Sequence, residues 1–307
     1  MPGKKILITG AAGMLGSDVL KLFNEASAGN HFQVIGTTRK ECDLADRESL
    51  NQLLAGIRPD LVIHCAAYTD VDGCEGQREK AFTANAGVAG NLAEALGKLG
   101  SRLFYISTDY VFSGEKISPY TEDDPASPLS VYGRSKLEGE ISVLTLGDKG
   151  TVIRASWLFG HNGRNFVKAI LAKARSEGKL RVVDDQRGSP TYTKDLAGGI
   201  LNLTRLDASG IYHLTNSGDC TWFAFAREIV DQAGLDGIEI TPITTEQIGR
   251  PARRPKNSVL SCGKYSALAG KPMRHWREAL REYLALDTPR PSATPLKRGI
   301  CFYPPAL

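Results

Sequence analysis

Lys5-Ile-Leu-Ile-Thr9-Gly10-Ala-Ala-Gly-Met-Leu-Gly16 decides the fold, because an apolar run of strand length is followed at once by three glycines. Beyond them, Ser17-Asp-Val-Leu-Lys-Leu-Phe23 carries its apolar residues at helical spacing. Strand, glycine turn and helix together make a phosphate cradle. Gly10, Gly13 and Gly16 let the backbone approach a pyrophosphate, while the amides around Met14 and Leu15 and the dipole of the helix start attract its charge. The spacing is Gly-x-x-Gly-x-x-Gly and departs from the commoner Gly-x-Gly-x-x-Gly. Three glycines also suit a tight connection, but the flanking strand and helix favour a nucleotide site.

Working outward, strands and helices alternate. A second strand, Gln33-Val-Ile-Gly-Thr37, ends about twenty residues past the last glycine, where an NAD-selective site carries an acid for the ribose hydroxyls. Here the chain reads Thr37-Thr-Arg-Lys40 instead. Arg39, with Thr38 or Lys40, suits a 2′-phosphate, which points to NADPH with NADH still possible; a solvated charged loop is the alternative. Asp43 and Leu44 are expected to border the adenine. Asp46 reads as the N-cap of a helix ending near Ile57, and Arg58-Pro-Asp60 turns into the strand Leu61-Val-Ile-His-Cys65. Ala66 and Ala67, followed by Tyr68, leave room for a cofactor across the sheet edge. His64 lies inside an apolar strand and is expected to be a core histidine.

A single long helix is predicted from about Arg78 to Leu99, then the strand Arg102 to Ser107, then Thr108-Asp-Tyr-Val-Phe-Ser-Gly114. Ligands of open α/β sheets bind beyond the carboxyl ends of strands, so the Thr108 hydroxyl falls where a substrate would sit. Further on, Ser130-Val-Tyr-Gly-Arg-Ser-Lys136 places Tyr132 and Lys136 one helical turn apart on one face. A free tyrosine has a pKa near ~10, and a neighbouring ammonium favours the phenolate. Tyr-x-x-x-Lys is a frequent chance pattern; its weight comes from its neighbours. Thr108 would hold a carbonyl oxygen, Tyr132 would protonate it, and Lys136 would lower the phenol pKa while bonding a ribose.

The strand Thr151 to Ala155 should close a parallel sheet. The predicted fold is therefore α/β, a Rossmann-like doubly wound parallel sheet with a smaller C-terminal substrate-binding subdomain. Residues 1–155 would be mainly the nucleotide domain, with about 180–215 contributing. Residues 156–286 would be mainly the substrate subdomain: a helix from Val167 to Glu177, a strand Leu180 to Val183, a turn Asp185 to Thr191, a helical run from Asp195, and a last helix Met273 to Leu286. Trp157 suits either packing or stacking on a substrate ring. The proline-marked stretch 287–307 has no periodicity and is expected to be a poorly ordered tail.

Composition narrows the class. With 307 residues, 42% hydrophobic and 23% charged, the chain suits a globular protein. It contains no window of ~20 apolar residues and no signal-peptide core, so a cytoplasmic protein that binds no membrane is expected. A net charge of +4 without a basic run does not suggest nucleic acid. The six cysteines show no Cys-x-x-Cys pair or zinc-like spacing, so reduced thiols and no metal are expected.

Ser107-Thr-Asp-Tyr-Val-Phe-Ser-Gly114, Tyr132-Gly-Arg-Ser-Lys-Leu-Glu138, Asp185-Gln-Arg-Gly-Ser-Pro-Thr191 and Arg254-Pro-Lys-Asn-Ser-Val-Leu260, in this order, resemble the extended short-chain dehydrogenase/reductases and, within them, the dTDP-4-dehydrorhamnose reductase family. The resemblance runs from Lys5 to about Leu286. It implies a catalytic triad of Thr108, Tyr132 and Lys136, a cofactor cradle at Gly10, Gly13 and Gly16, and Val71, Asp72, Asp109 and Trp157 near the sugar nucleotide. It also implies hydride transfer from NADPH to C4 of a dTDP-linked 4-keto-6-deoxy sugar, the last step of activated rhamnose synthesis. Some members form a magnesium-bridged dimer through acids on the first helix and on the helix after the Gly-Ser-Pro-Thr turn. This chain has Asp18 and Lys194 at those places, so a monomer or a metal-independent dimer is expected. Three other readings share the pattern: a reductase of another dTDP-ketosugar, a regulatory NADP-binding subunit similar to the β subunit of methionine adenosyltransferase, and a sugar-nucleotide epimerase or dehydratase. Asp109 is not expected to serve dehydration.

Overall fold

The computed structural model describes residues 3–27 and 32–287. Six parallel strands form the central sheet: β1 (Lys4–Thr9), β2 (Phe32–Thr37), β3 (Leu61–His64), β4 (Arg102–Thr108), β5 (Gly150–Ala155) and β6 (Gly210–His213), in the order β6-β5-β4-β3-β1-β2. Side chains of a strand alternate between faces, and the core follows that period. Ile6, Ile8, Ile63, Phe104 and Ile153 pack on one side with α1 (Met14–Ala26) and the helix Thr193–Arg205. On the other side Leu7, Val62, Leu103, Tyr105 and Val152 meet α2 (Arg47–Ile57) and α3 (Val88–Leu99). The chain leaves β1 for β2 on one flank and returns to β3 on the other. The topological switch point therefore lies between β1 and β3, where such sheets open a crevice.

The strand β6 comes from late in the chain and pairs with β5 in register Gly210 to Thr151 through His213 to Arg154. Outside the sheet, Lys179–Val183 pairs in parallel with Glu239–Ile243. A separate aromatic core of Phe159, Tyr192, Phe225, Trp276 and Tyr283 fills the second half.

Asp46 caps α2 as its spacing predicted, accepting from the Glu48 and Ser49 amides. The single helix expected over 78–99 is instead three pieces: Arg78–Phe82, a π-helical turn Thr83–Gly87, and α3. The wider turn aims Asn85 inward, where its Oδ1 accepts from the Tyr68 amide at 2.8 Å and its Nδ2 donates to the Tyr68 carbonyl and to Ser135 Oγ. Such bulges trade one regular hydrogen bond for a redirected side chain. In the region expected to be only a turn, Arg187–Gly188 pairs with Cys220–Thr221 and Thr191–Tyr192 with Leu158–Phe159. The helix expected from Asp195 starts at Thr193, and the last helix is Trp276–Asp287 because the Trp276 amide is held by the Ser217 carbonyl. The expected tail lies outside the described residues apart from Asp287. Cys42, Cys65, Cys74, Cys220 and Cys262 are free thiols, and Cys301 lies outside the described residues. Among the described residues, no helix is long and apolar enough to cross a membrane.

Candidate active site

At the switch point Gly10 has φ +69°, and a Cβ there would lie 2.7 Å from the Ala66 amide nitrogen. A Cβ on Gly16 would collide with the Gly10 carbonyl, its carbon only 2.8 Å away. The turn thus needs bare backbone at both places. The Gly13 amide donates to Gly10 O at 2.8 Å, and the first helical bond of α1 is Ser17 N–H to Gly13 O. Met14, Leu15 and Gly16 therefore present the early amides of a helix that has no side-chain cap and no acid in its first turn. That is the donor set of an anion site.

At the end of β2, Arg39 is 84% exposed and lies 3.4 Å from Asp43. An acid also reaches this place, contrary to the sequence expectation. Glu41 folds back through a turn in which its own amide and that of Cys42 donate to Thr38 O, and its Oε2 accepts from the Thr38 amide at 2.7 Å. Asp43 accepts from the Ala45 amide, and Leu44 joins the core beside α2. Arg39→Ala should weaken NADPH more than NADH in fluorescence titrations, and Glu41→Gln should shift the ratio the other way by about two- to fivefold, as exposed charge pairs allow. Equal losses for both cofactors in Arg39→Ala would refute a 2′-phosphate role.

The helix α4 (Val131–Leu144) starts at Ser130, whose Oγ caps the Gly133 amide. Its first turns bring Tyr132 and Lys136 against the end of β4, and both are buried. Thr108 Oγ1 accepts from the Tyr110 amide at 3.2 Å and donates to Asp109 Oδ1 at 3.0 Å. Burial pushes the Tyr132 phenol well above its ordinary pKa; the Thr108 hydroxyl opposes this, while Asp109 reinforces it. The expected lowering by Lys136 is not what this geometry produces. Burial pushes Lys136 itself down to about 7, with Glu140 opposing, and its Nζ donates to Ile106 O at 2.7 Å while lying 3.9 Å from the centre of the Tyr105 ring. Both charged forms lose more from desolvation than they gain from one another. Burial also raises Asp109 to about 7, against the hydroxyls of Ser258 and Thr108. His64 is a core histidine as expected: burial lowers it to about 3, and Nδ1 lies 2.7 Å from Thr9 Oγ1.

Next to this group, Val71 and Asp72 begin the short helix Val71–Gly76. Although burial alone would raise Asp72, the Arg254 guanidinium, the Ala252 amide and Arg250 hold it down to about 2. Arg254 binds it through two bonds of 3.0 and 2.9 Å. These arginines belong to a cavity of about 320 Å³ whose walls include Tyr110, Phe166, Arg181, Trp222, Arg250 and Arg254. Aromatic faces and guanidinium groups in one cleft suit a nucleoside diphosphate. Trp157, with φ 49°, stacks on Trp222 with ring centroids 3.5 Å apart, and its indole lies over Gly188. It has packing partners where stacking on a ligand was one expectation.

Sequence reading missed Asn85, Glu41, Arg250 and Trp222. Asn85 gave one signal, a polar residue on the apolar face of a helical pattern; the other three are brought in by tertiary folding. At the place where a bridging metal was considered, Asp18 accepts from Thr193 Oγ1 and Lys194 pairs with Glu282, each at 2.5 Å. Among the described residues, no three His, Cys, Asp or Glu side chains are grouped to hold a metal.

The profile of the RmlD substrate binding domain matches residues 4–288. The chain is 43% identical over 280 residues to the spore coat polysaccharide biosynthesis protein SpsK of Bacillus subtilis, covering 91% of this chain and 96% of that protein. It is 39% identical to a dTDP-4-dehydrorhamnose reductase of Streptomyces griseus, covering 92% and 93%. A solved dTDP-4-dehydrorhamnose reductase of Bacillus anthracis, in complex with NADP, superposes with a TM-score of 0.87 at 37% identity, covering 92% of this chain and 99% of that one. With the glycine cradle at the switch point and the Thr108 hydroxyl beside the Tyr132 phenol at the end of β4, the chain belongs to the RmlD substrate-binding family, the dTDP-4-dehydrorhamnose reductase branch of the extended short-chain dehydrogenase/reductases.

Proposed function

We propose that this chain is an NADPH-dependent oxidoreductase that reduces the C4 ketone of a dTDP-linked 4-keto-6-deoxy sugar, converting dTDP-4-dehydro-L-rhamnose to dTDP-L-rhamnose in the cytoplasm. The observation that carries the reading is placement: the cradle after β1 and the Thr108 hydroxyl after β4 lie at the same carboxyl edge of one parallel sheet, with the Tyr132 phenol of α4 beside Thr108, and Tyr110, two residues on, lines a cavity walled by arginines and aromatic rings. The cradle fits a dinucleotide, since the turn closes only with bare backbone at Gly10 and Gly16, where a Cβ would meet the main chain of Ala66 and of Gly10, and that closure leaves the early amides of α1 free for a pyrophosphate. Bound there, NADPH supplies the hydride.

The chain's own residues do the rest. Thr108 donates to the ketone oxygen once its hydroxyl turns from Asp109, and Tyr132 gives its proton to the alkoxide. Lys136, whose Nζ donates to the Ile106 carbonyl, would hold the cofactor's ribose hydroxyls and stabilise the phenolate left on Tyr132. Arg250 and Arg254 hold the diphosphate, already oriented by Asp72. Residues 1–155 with β6 serve the cofactor, and most of 156–286 covers the substrate.

A panel of dTDP-ketosugars assayed with NADPH and with NADH tests the proposal. Consumption of NADPH with the 4-dehydrorhamnose nucleotide is expected; tight NADP binding without turnover of any ketosugar would point instead to a regulatory subunit. In solution the chain should be a monomer or a metal-independent dimer. Light scattering should therefore give the same mass with and without chelator, and a dimer that dissociates on chelation would overturn this.

A further inference from the structure

Three successive residues at the end of β4 are each held by the same face of α4. The Ile106 carbonyl accepts from Lys136, the Ser107 hydroxyl donates to Glu140 Oε1 at 2.5 Å, and the Thr108 hydroxyl acts on the Tyr132 phenol. Tyr132, Lys136 and Glu140 recur every four residues, the spacing that stacks side chains along one stripe of a helix. Glu140 is 1% exposed. It is tied to β5 by Arg154, whose Nε and Nη2 reach its two oxygens at 3.0 and 2.7 Å. Arg154 Nη1 lies 3.4 Å from His213 Nε2, and His213 Nδ1 lies 3.1 Å from Tyr120 O. Burial lowers His213 to about 3, so the ring is neutral and Nδ1 carries its proton to that carbonyl.

The groups around Lys136 divide sharply by charge. His64 and Cys65 act with it from the end of β3, the Tyr105 ring lies beneath its Nζ from β4, and Glu140 acts on it from its own helix, where Tyr132 stands one turn away. His64 is a neutral ring, burial pushes the Cys65 thiol up to about 12, and burial raises both phenols. All four are uncharged at neutral pH. Glu140 therefore supplies the negative charge that offsets the burial of the ammonium.

We propose that Glu140 is a positioning residue for the reduction, holding Lys136 in its ammonium form and fixing the end of β4 so that Thr108 meets Tyr132. The functional half of this statement rests on the reductase reading; the electrostatic half does not. Lysine carrying ¹³C at Cε reports its own protonation by NMR, and Lys136→Met assigns the Lys136 signal. In Glu140→Gln that midpoint should fall by about one pH unit, as loss of a close opposite charge allows. The high-pH limb of kcat/KM should move down with it.

Should the single variant not accumulate folded, Glu140→Gln/Arg154→Met removes both buried charges at once, and the midpoint should fall again, because it is the Glu140 charge that acts on Lys136. An unchanged midpoint in the folded variant would overturn the proposal. Absence of ketosugar turnover by the wild-type protein would instead overturn the reductase reading and leave the NMR result standing.

Discussion

Replacing Tyr132 by phenylalanine is expected to lower kcat by about 10²- to 10⁴-fold, the range of a lost general acid, while the dissociation constant of NADPH stays within about twofold. The ring should not move. It packs edge-on to Tyr110 with centroids 6.0 Å apart and sits with Cys74, Ala81 and Val131 in a small apolar cluster, so only the oxygen is removed. Burial keeps that oxygen protonated across the neutral range, as a proton donor requires. Pre-steady-state NADPH oxidation, read beside a binding titration, separates the two quantities. Turnover equal to wild type would take Tyr132 out of the acid role.

Gly16→Ala should produce the largest loss of cofactor affinity, about 100-fold or more in NADPH dissociation constant, which corresponds to roughly 2.7 kcal/mol. The added methyl meets the backbone carbonyl of Gly10 and the Cα of Ala11, not the movable end of a side chain. Relief must come from opening the turn that directs the early α1 amides at the pyrophosphate. Overpacking of this kind also costs about 1–3 kcal/mol of stability. Calorimetric titration with NADPH and thermal unfolding of the apoprotein read the two effects; normal affinity would show that the turn does not carry the phosphates.

The alternating architecture was legible because buried parallel strands announce themselves as short apolar runs, and Lys4–Thr9 and Leu61–His64 are such runs. Local chemistry was legible as well, as in the cap at Asp46 and the one-turn spacing of Tyr132 and Lys136. Three kinds of feature were not. The π turn at Thr83–Gly87 has the composition of an ordinary helix, and the partners that hold Asn85 inward, Tyr68 and Ser135, are distant in sequence. Glu41 stands three residues past Thr38 and reaches it only after a tight turn closes. The sign of the Tyr132 shift depended on depth of burial, a property of the whole sheet and not of a four-residue interval. The same depth of burial governs Lys136, whose Nζ donates to a main-chain carbonyl on another element.

The strand Gly210–His213 has a consequence for recombination between related genes. Because it zips onto Gly150–Ala155 after more than fifty intervening residues have built part of the other half, no single crossover can exchange one half of the molecule cleanly. A graft beginning after Ala155 would bring a foreign edge strand with it, whose side chains must fit the recipient's Thr151 to Arg154 row. Swaps that trade sugar preference between lineages should therefore survive when they enter after residue 155, leave before the helix Thr193–Arg205 that packs on the sheet beside α1, and resume beyond residue 213, and fail when made with one junction.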